Sequence, residues 1–231
     1  MQDKLNWNAV GLVKKTKQLK DFIEQEKLEK EKLPAHQKER TAPLTGYLNE
    51  LNHMLEQMEK IEKIIIPKLE KLFHLKFQTP EMIMLALTRP SVRNIFENLN
   101  IHFKGDQNRP LSKVELTELA SSGDAAVVLA LIGDAALDLA LVQTLWDSSL
   151  SKTGELTEKR KKFASNENLA IYCDEWGLYS SRLYRLQNIP DEKTKKETIE
   201  HVKGTLVESV FGVVYLEFNL KELLRIVPLI Q

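Results

Sequence analysis

Apolar residues recur at intervals of three and four along most of the chain, and few stretches alternate with a period of two. The pattern predicts helices almost throughout. A first, irregular stripe (Leu5, Val10, Val13, Phe22, Ile23, Leu28) runs through a Lys- and Glu-rich segment over 5–32. Pro34 and the stretch Thr41-Ala42-Pro43-Leu44-Thr45-Gly46 predict a loop, because proline removes a donor and disfavours helix in the residue before it. A second stripe over 47–66 carries Leu48, Leu51, Met54, Leu55, Met58, Ile61, Ile64 and Ile65, with Pro67 expected to perturb or end it. Further helical signals cover 69–76, 80–88, 113–121, 124–148, 155–163, 166–176, 179–186, 194–218 and 220–229. Thr79 followed by Pro80 reads as an N-cap with proline at the first helical position, and Ser165 as the cap of the helix from Asn166. The stretches 104–112 and 187–193 read as surface loops, and no internal repeat is visible.

Hydrophobic residues make up 42% and charged residues 29% of 231 positions, which is ordinary globular composition with enough apolar material for a sizeable core. The formal net charge is zero, so any basic surface must be local. The only cysteine is Cys173, which excludes an internal disulfide and a cysteine zinc cluster. No signal peptide is evident, and the longest apolar stretch, Ala125 to Ile132, is too short to span a bilayer. The expectation is a cytoplasmic protein without a membrane partner. The mixed charges of the first helix (Lys14, Lys15, Lys17, Glu24, Glu26, Lys27, Glu29, Lys30) fit a solvated face laced with ion pairs better than an RNA-binding face, because both signs alternate.

Two helices carry acids where acids are costly. In 127–139, VVLALIGDAALDL, Asp134 stands in an apolar run beside Gly133. A mid-helix glycine costs about 1 kcal/mol against alanine, so close approach of another helix or a ligand is expected there. Ala130 and Asp138 share the Asp134 face, one turn to either side. In 203–217, KGTLVESVFGVVYLE, Glu208 is again a lone acid near a glycine, Gly212, with Thr205 on its face. Two such helices could cross and bring Asp134 and Glu208 together. Two carboxylates plus waters suit Mg²⁺, which keeps much of its hydration shell. The alternative left open by spacing is that each acid pairs with Lys or Arg, or caps a neighbouring helix.

At these residues the chain resembles the ribonuclease III family. Residues 69–91 resemble the family's opening helix pair, which ends in Ala-Leu-Thr-His-Arg-Ser; here the motif reads Ala86-Leu87-Thr88-Arg89-Pro90-Ser91. Ile132-Gly133-Asp134-Ala135 stands at the Leu-Gly-Asp-Ala core of the signature helix. Residues 154–170, GELTEKRKKFASNENLA, are similar to the family's Gly-Glu-Leu-Thr stretch and its following Ser-Asn-Glu-x-Leu-Ala, and 203–217 resemble its last catalytic helix. The four blocks cover roughly 69–220. The usual family pattern has four acids, and here Ala130 and Thr205 replace two of them. The small branch called Mini-ribonuclease III also has Ala before the Asp and Thr before the Glu, so the acid pattern resembles that branch, while 154–170 match the usual branch better.

The resemblance implies an all-α ribonuclease III endonuclease domain over 67–231, preceded by a helical N-terminal extension over 1–66. It implies a homodimer holding double-stranded RNA, and hydrolysis dependent on Mg²⁺ or Mn²⁺ with Asp134 and Glu208 as catalytic metal ligands. Asp138 and Glu167 are reserve outer acids. Contact with RNA is expected at a local basic cluster, Lys159, Arg160, Lys161 and Lys162, joined by Lys203, although a basic helix end also favours positive charge without any ligand. The apolar faces of 81–88 and 124–142 are expected at the dimer interface, and the near-heptad residues of 47–66 offer a second dimer mode. The competing expectation is a non-cleaving, ribonuclease III-like RNA-binding or scaffold protein.

Overall fold

The computed structural model describes residues 9–32, 42–106, 108–146, 153–186 and 196–231. The described residues are helical with no β-strand. Their one isolated bridge, parallel, joins Thr88 to Leu183. Among the described residues ten α-helices follow in order: α1 Leu12–Glu31, α2 Ala42–Lys60, α3 Ile66–Phe73, α4 Pro80–Ala86, α5 Arg93–His102, α6 Lys113–Ala120, α7 Ser122–Leu145, α8 Thr153–Phe163, α9 Asn166–Trp176 and α10 Lys196–Ile226. The expected loop at 187–193 and residues 34–41 of the expected break lie outside the described residues; 42–46, also expected as loop, instead form the first turn of α2, where Pro43 is tolerated because the N–H groups there have no partner within the helix.

Pro67 perturbs its helix without ending it. Between α2 and α3 the chain widens into a π-helical segment, Ile61–Ile65, and the Ile66 N–H reaches back five residues to the Ile61 carbonyl. Proline supplies no N–H and its ring crowds the carbonyl four residues earlier, so the wider turn absorbs the misfit and lets the helical path run on to Phe73. That path crosses the 66/67 boundary. The buried residues of α1 and α2, Leu12, Leu19, Ile23, Leu51, Met54 and Met58 among them, join the same core as the rest of the chain. The stripe on 47–66 is therefore spent inside the chain: Leu48, Leu51, Met58 and Ile65 are buried and Leu55 packs against them. The face of 82–87 is likewise buried, which removes both segments as free dimer surfaces.

Three further expectations need correction. The segment Arg93–His102 forms α5 although it is not among the expected helices; its asparagines weaken the helical signal, and Ile95, Phe96 and Leu99 supply the buried face. The segment 179–186 is not a helix. It is a single 3₁₀ turn, Tyr179–Ser181, followed by extended chain, because Leu183 donates to the Leu87 carbonyl (2.9 Å) and accepts from the Arg89 N–H (2.7 Å). Thr79 occupies the N-cap of α4 without a side-chain capping bond, and its N–H donates to Glu217 at 3.0 Å. Ser165 does cap α9, accepting from the Asn168 N–H at 3.2 Å. The break expected between 218 and 220 falls at Asn219, whose φ of 71° interrupts α10 and whose side-chain oxygen accepts from the Lys221 N–H.

The centre of the fold is the pair α7 and α10, which make the most extensive contact of any two elements, with α9 and α4 packed alongside. By length and composition alone the run Lys113–Leu145 could cross a membrane. In this fold α7 lays Leu129, Leu137, Ala140 and Leu141 into the core, as a central helix of a globular domain does. Its other face, Val127, Val128, Leu131, Leu139 and Val142, is exposed.

Candidate active site

Gly133 and Gly212 are the hinge points of this helix pair. A Cβ on Gly133 would stand 1.7 Å from the Glu208 carbonyl oxygen and 2.7 Å from the Gly212 nitrogen. One on Gly212 would stand 2.1 Å from the Leu129 carbonyl oxygen. The helices therefore meet backbone to backbone, which only glycine permits. The contact carries Asp134, next to Gly133, and Glu208, one turn before Gly212, to a common crossing, as the sequence pattern expects.

The electrostatics show that the acids sense each other. Glu208 is half-buried, and its carboxyl is pushed up to about 7, first by burial, then by the charges of Asp134 and Asp138. Asp134 is exposed; partial burial of its carboxyl and the charge of Asp138 raise it, and Arg160 opposes the rise. Arg160 reaches over from α8 and forms an ion pair with Asp138. The one guanidinium thus acts on Asp138 and Asp134, and Glu208 has no cation among the charges acting on it. Among the described residues, neither Asp134 nor Glu208 makes a hydrogen bond or ion pair of its own, so neither is the structural ion pair or helix cap that spacing alone left open. Such a surplus of negative charge in a partly desolvated place is what a bound cation relieves.

The chemistry of this donor set fits a hydrated divalent ion. No group of three or more His, Cys, Asp or Glu side chains with metal-binding placement occurs among the described residues. An ion here would take few protein oxygens and keep its waters, as Mg²⁺ does. Neither Ala130 nor Thr205 adds an acid here: Ala130 is buried, and the neutral Thr205 hydroxyl donates to the His201 carbonyl at 2.8 Å. Glu167 lies exposed in the first turn of α9 and is not among the charges acting on Glu208, whereas Asp138 is.

The basic residues divide. Lys159 is exposed and Lys162 lies 5.9 Å from the Phe163 ring, while Lys161 pairs with Glu158 at 3.2 Å on the surface. Lys203 pairs with Asp174 and lies 5.3 Å from the Tyr179 ring. Arg160 is turned toward the acid cluster by Asp138. The sequence marks Arg160 as basic, but nothing in a spacing of 22 residues signals that it closes on Asp138.

No curated protein matches the chain. The family model of the ribonuclease III domain matches residues 127–219. That span holds three of the four blocks of resemblance, from the signature helix onward, with Asp134, Asp138, Arg160 and Glu208 all inside it. Residues 127–219, which run from α7 into α10, are thus similar to the ribonuclease III domain.

Proposed function

We propose that the chain is an endoribonuclease that hydrolyses double-stranded RNA, with Asp134 and Glu208 holding a divalent cation, Mg²⁺ or Mn²⁺, directly or through water. The observation that carries this reading is the uncompensated pair at the α7–α10 crossing: two acids without protein partners, one pushed up to about 7 by burial and by its neighbours. When bound, a divalent ion polarises a phosphoryl oxygen and makes a bound water more acidic. The chain's own residues set the stage for that chemistry. Asp134 presents its carboxylate at the surface, where a duplex can reach it. Glu208 sits half-buried behind it, its carboxyl pushed up to about 7 by burial and the neighbouring aspartates, so a cation there favours its ionised form. Arg160 neutralises Asp138 and limits the repulsion that reaches Asp134.

Duplex RNA is read through phosphates and 2′-hydroxyls, so a local basic surface is sufficient on a chain of zero net charge. Lys159, Lys161 and Lys162 on α8 offer one beside the acids, with Lys203 on α10. A homodimer is proposed through the exposed outer face of α7, where Leu131 is 68% and Val128 54% exposed. A reducing, cytoplasmic setting suits Cys173, a fully buried thiol pushed up to about 12 by burial.

A second reading, a non-cleaving RNA-binding or scaffold protein, is favoured by Ala130 and Thr205 at two positions where the usual family pattern has acids. Incubation of a long RNA duplex with Mg²⁺ separates the two. Internal cleavage leaving 5′-phosphate and 3′-hydroxyl ends, abolished by a chelator, supports the enzyme. Duplex binding with no product supports the scaffold.

A further inference from the structure

The parallel bridge between Thr88 and Leu183, held by the two backbone bonds on Leu183, joins the segments that carry Arg89 and Arg182. Arg182 is 91% buried. Its guanidinium lies 3.7 Å from the centre of the Tyr179 ring and 4.3 Å from that of Tyr184, and one of its N–H groups donates to the Tyr179 carbonyl. The Arg89 side chain has neither a hydrogen bond nor an ion pair among the described residues. Burial and the neighbouring Arg182 charge both push Arg89 below the usual arginine range.

Both residues line a cavity of about 260 Å³, together with Ser91, Tyr179 and Tyr184. Ser91 accepts from the Arg185 N–H at 3.2 Å, which leaves its own hydroxyl proton free to donate. Among the described residues, no carboxylate pairs with Arg89 or Arg182. Glu50 is taken by the Leu186 N–H at 2.8 Å and by Arg185 at 3.8 Å. Asp174 is taken by Lys203. Lys60 adds a further positive charge at Ser180.

Two guanidiniums brought together out of water without a counter-charge are costly, and an anion offsets that cost. Stacking on tyrosine fixes the Arg182 plane, and the planar guanidinium is the group that binds phosphoryl oxygens in pairs. A tetrahedral dianion matches two cations and a hydroxyl donor. The cavity holds a phosphate group with room for part of whatever carries it. Gly123, whose Cβ would meet the Pro90 Cα at 2.8 Å, fixes this cavity near the start of α7, about 16 Å of helix before Asp134.

We propose that Arg89, Arg182 and Ser91 form a binding pocket for a phosphate monoester group, separate from the acid cluster. Its source is the 5′ end of a nucleic-acid strand or a free phosphate or nucleotide. The pocket stands whether or not the acid cluster hydrolyses RNA.

Thermal unfolding and calorimetric titration of the full chain test it, with inorganic phosphate against chloride at matched ionic strength. Phosphate is expected to raise the melting temperature of the parent. Arg89→Gln should bind phosphate about tenfold more weakly, while Lys63→Gln, which removes an exposed charge elsewhere, should respond like the parent. Arg182→Lys serves as the second variant: it keeps the charge and loses the fork, and it should also weaken binding. Preference for a 5′-phosphorylated over a 5′-hydroxyl single-stranded oligoribonucleotide, lost in Arg89→Gln, assigns the strand end. A phosphate response without that preference assigns the free anion. No response of the parent, or an equal response in both arginine variants, overturns the proposal.

Discussion

Gly133 and Gly212 face each other across the α7–α10 crossing, and neither position has room for a methyl group: the clashing atoms are backbone, at 1.7 Å for Gly133 and 2.1 Å for Gly212. A side chain's flexible end could move aside, but two helix backbones can only separate. Gly133→Ala is therefore expected to cost about 3 kcal/mol, at the upper end of overpacking penalties, despite alanine's better helix propensity. Urea unfolding of the variant measures it. A variant as stable as the parent would mean that the two helices are not in backbone contact.

The raised carboxyl of Glu208 makes stability depend on pH. The folded chain holds this proton more tightly than the unfolded chain, with a pKa of about 7 against an ordinary 4.5. Stability is therefore fully present below about 4.5 and is lost as pH rises through about 7. Asp134, also raised, acts in the same direction. Glu208→Gln removes the loss at Glu208. Without divalent ions it should melt above the parent at pH 8, by at most about 3 kcal/mol, and close to the parent at pH 4.5. Thermal melts across that range check the sign.

Much of this site is legible in the sequence, because a carboxylate or a glycine inside an apolar helix violates a local rule and so draws attention. Gly133, Asp134, Glu208 and Gly212 all stand out in that way. The Arg160–Asp138 pair does not: it joins two exposed-looking residues from different helices, and only the tertiary path makes them neighbours. The arginine pair at 89 and 182 is hidden for the same reason, since the bridge that joins the two segments falls where the periodicity reads as helix. Pro67 signals a disturbance in the helix, but its resolution into a π-turn depends on the core that holds Ile61, Ile65 and Ile66 in place.

The outer face of α7 predicts self-association. Leu131 is at the middle of the exposed stripe that Val127, Val128, Leu139 and Val142 continue. Sedimentation at micromolar concentration should show a dimer, and Leu131→Glu should shift it to monomer with little loss of fold, since the side chain is exposed within the single chain. A parent that sediments as a monomer would remove this interface from the account.

RNA contact through α8 is best tested at Lys159 and Lys162, which are free of the acid cluster, rather than at Arg160, whose loss would also release Asp138. Reversal of both lysines to Glu should weaken binding of unrelated duplexes about equally and flatten the dependence of affinity on salt. Unchanged binding across a salt series would place the RNA on another surface, with Lys14, Lys15 and Lys17 of α1 the next to reverse.

The central claim is that Asp134 and Glu208 hold one divalent cation, and calorimetric titration of Mg²⁺ into the parent, Asp134→Asn and Glu208→Gln at pH 7.5 tests it most directly. The parent is expected to bind one ion per chain with release of protons, because a bound ion requires Glu208 to ionise. The binding should weaken at pH 6, and each variant should lose it. A parent that binds no Mg²⁺, or variants that bind it as tightly as the parent, would contradict the claim.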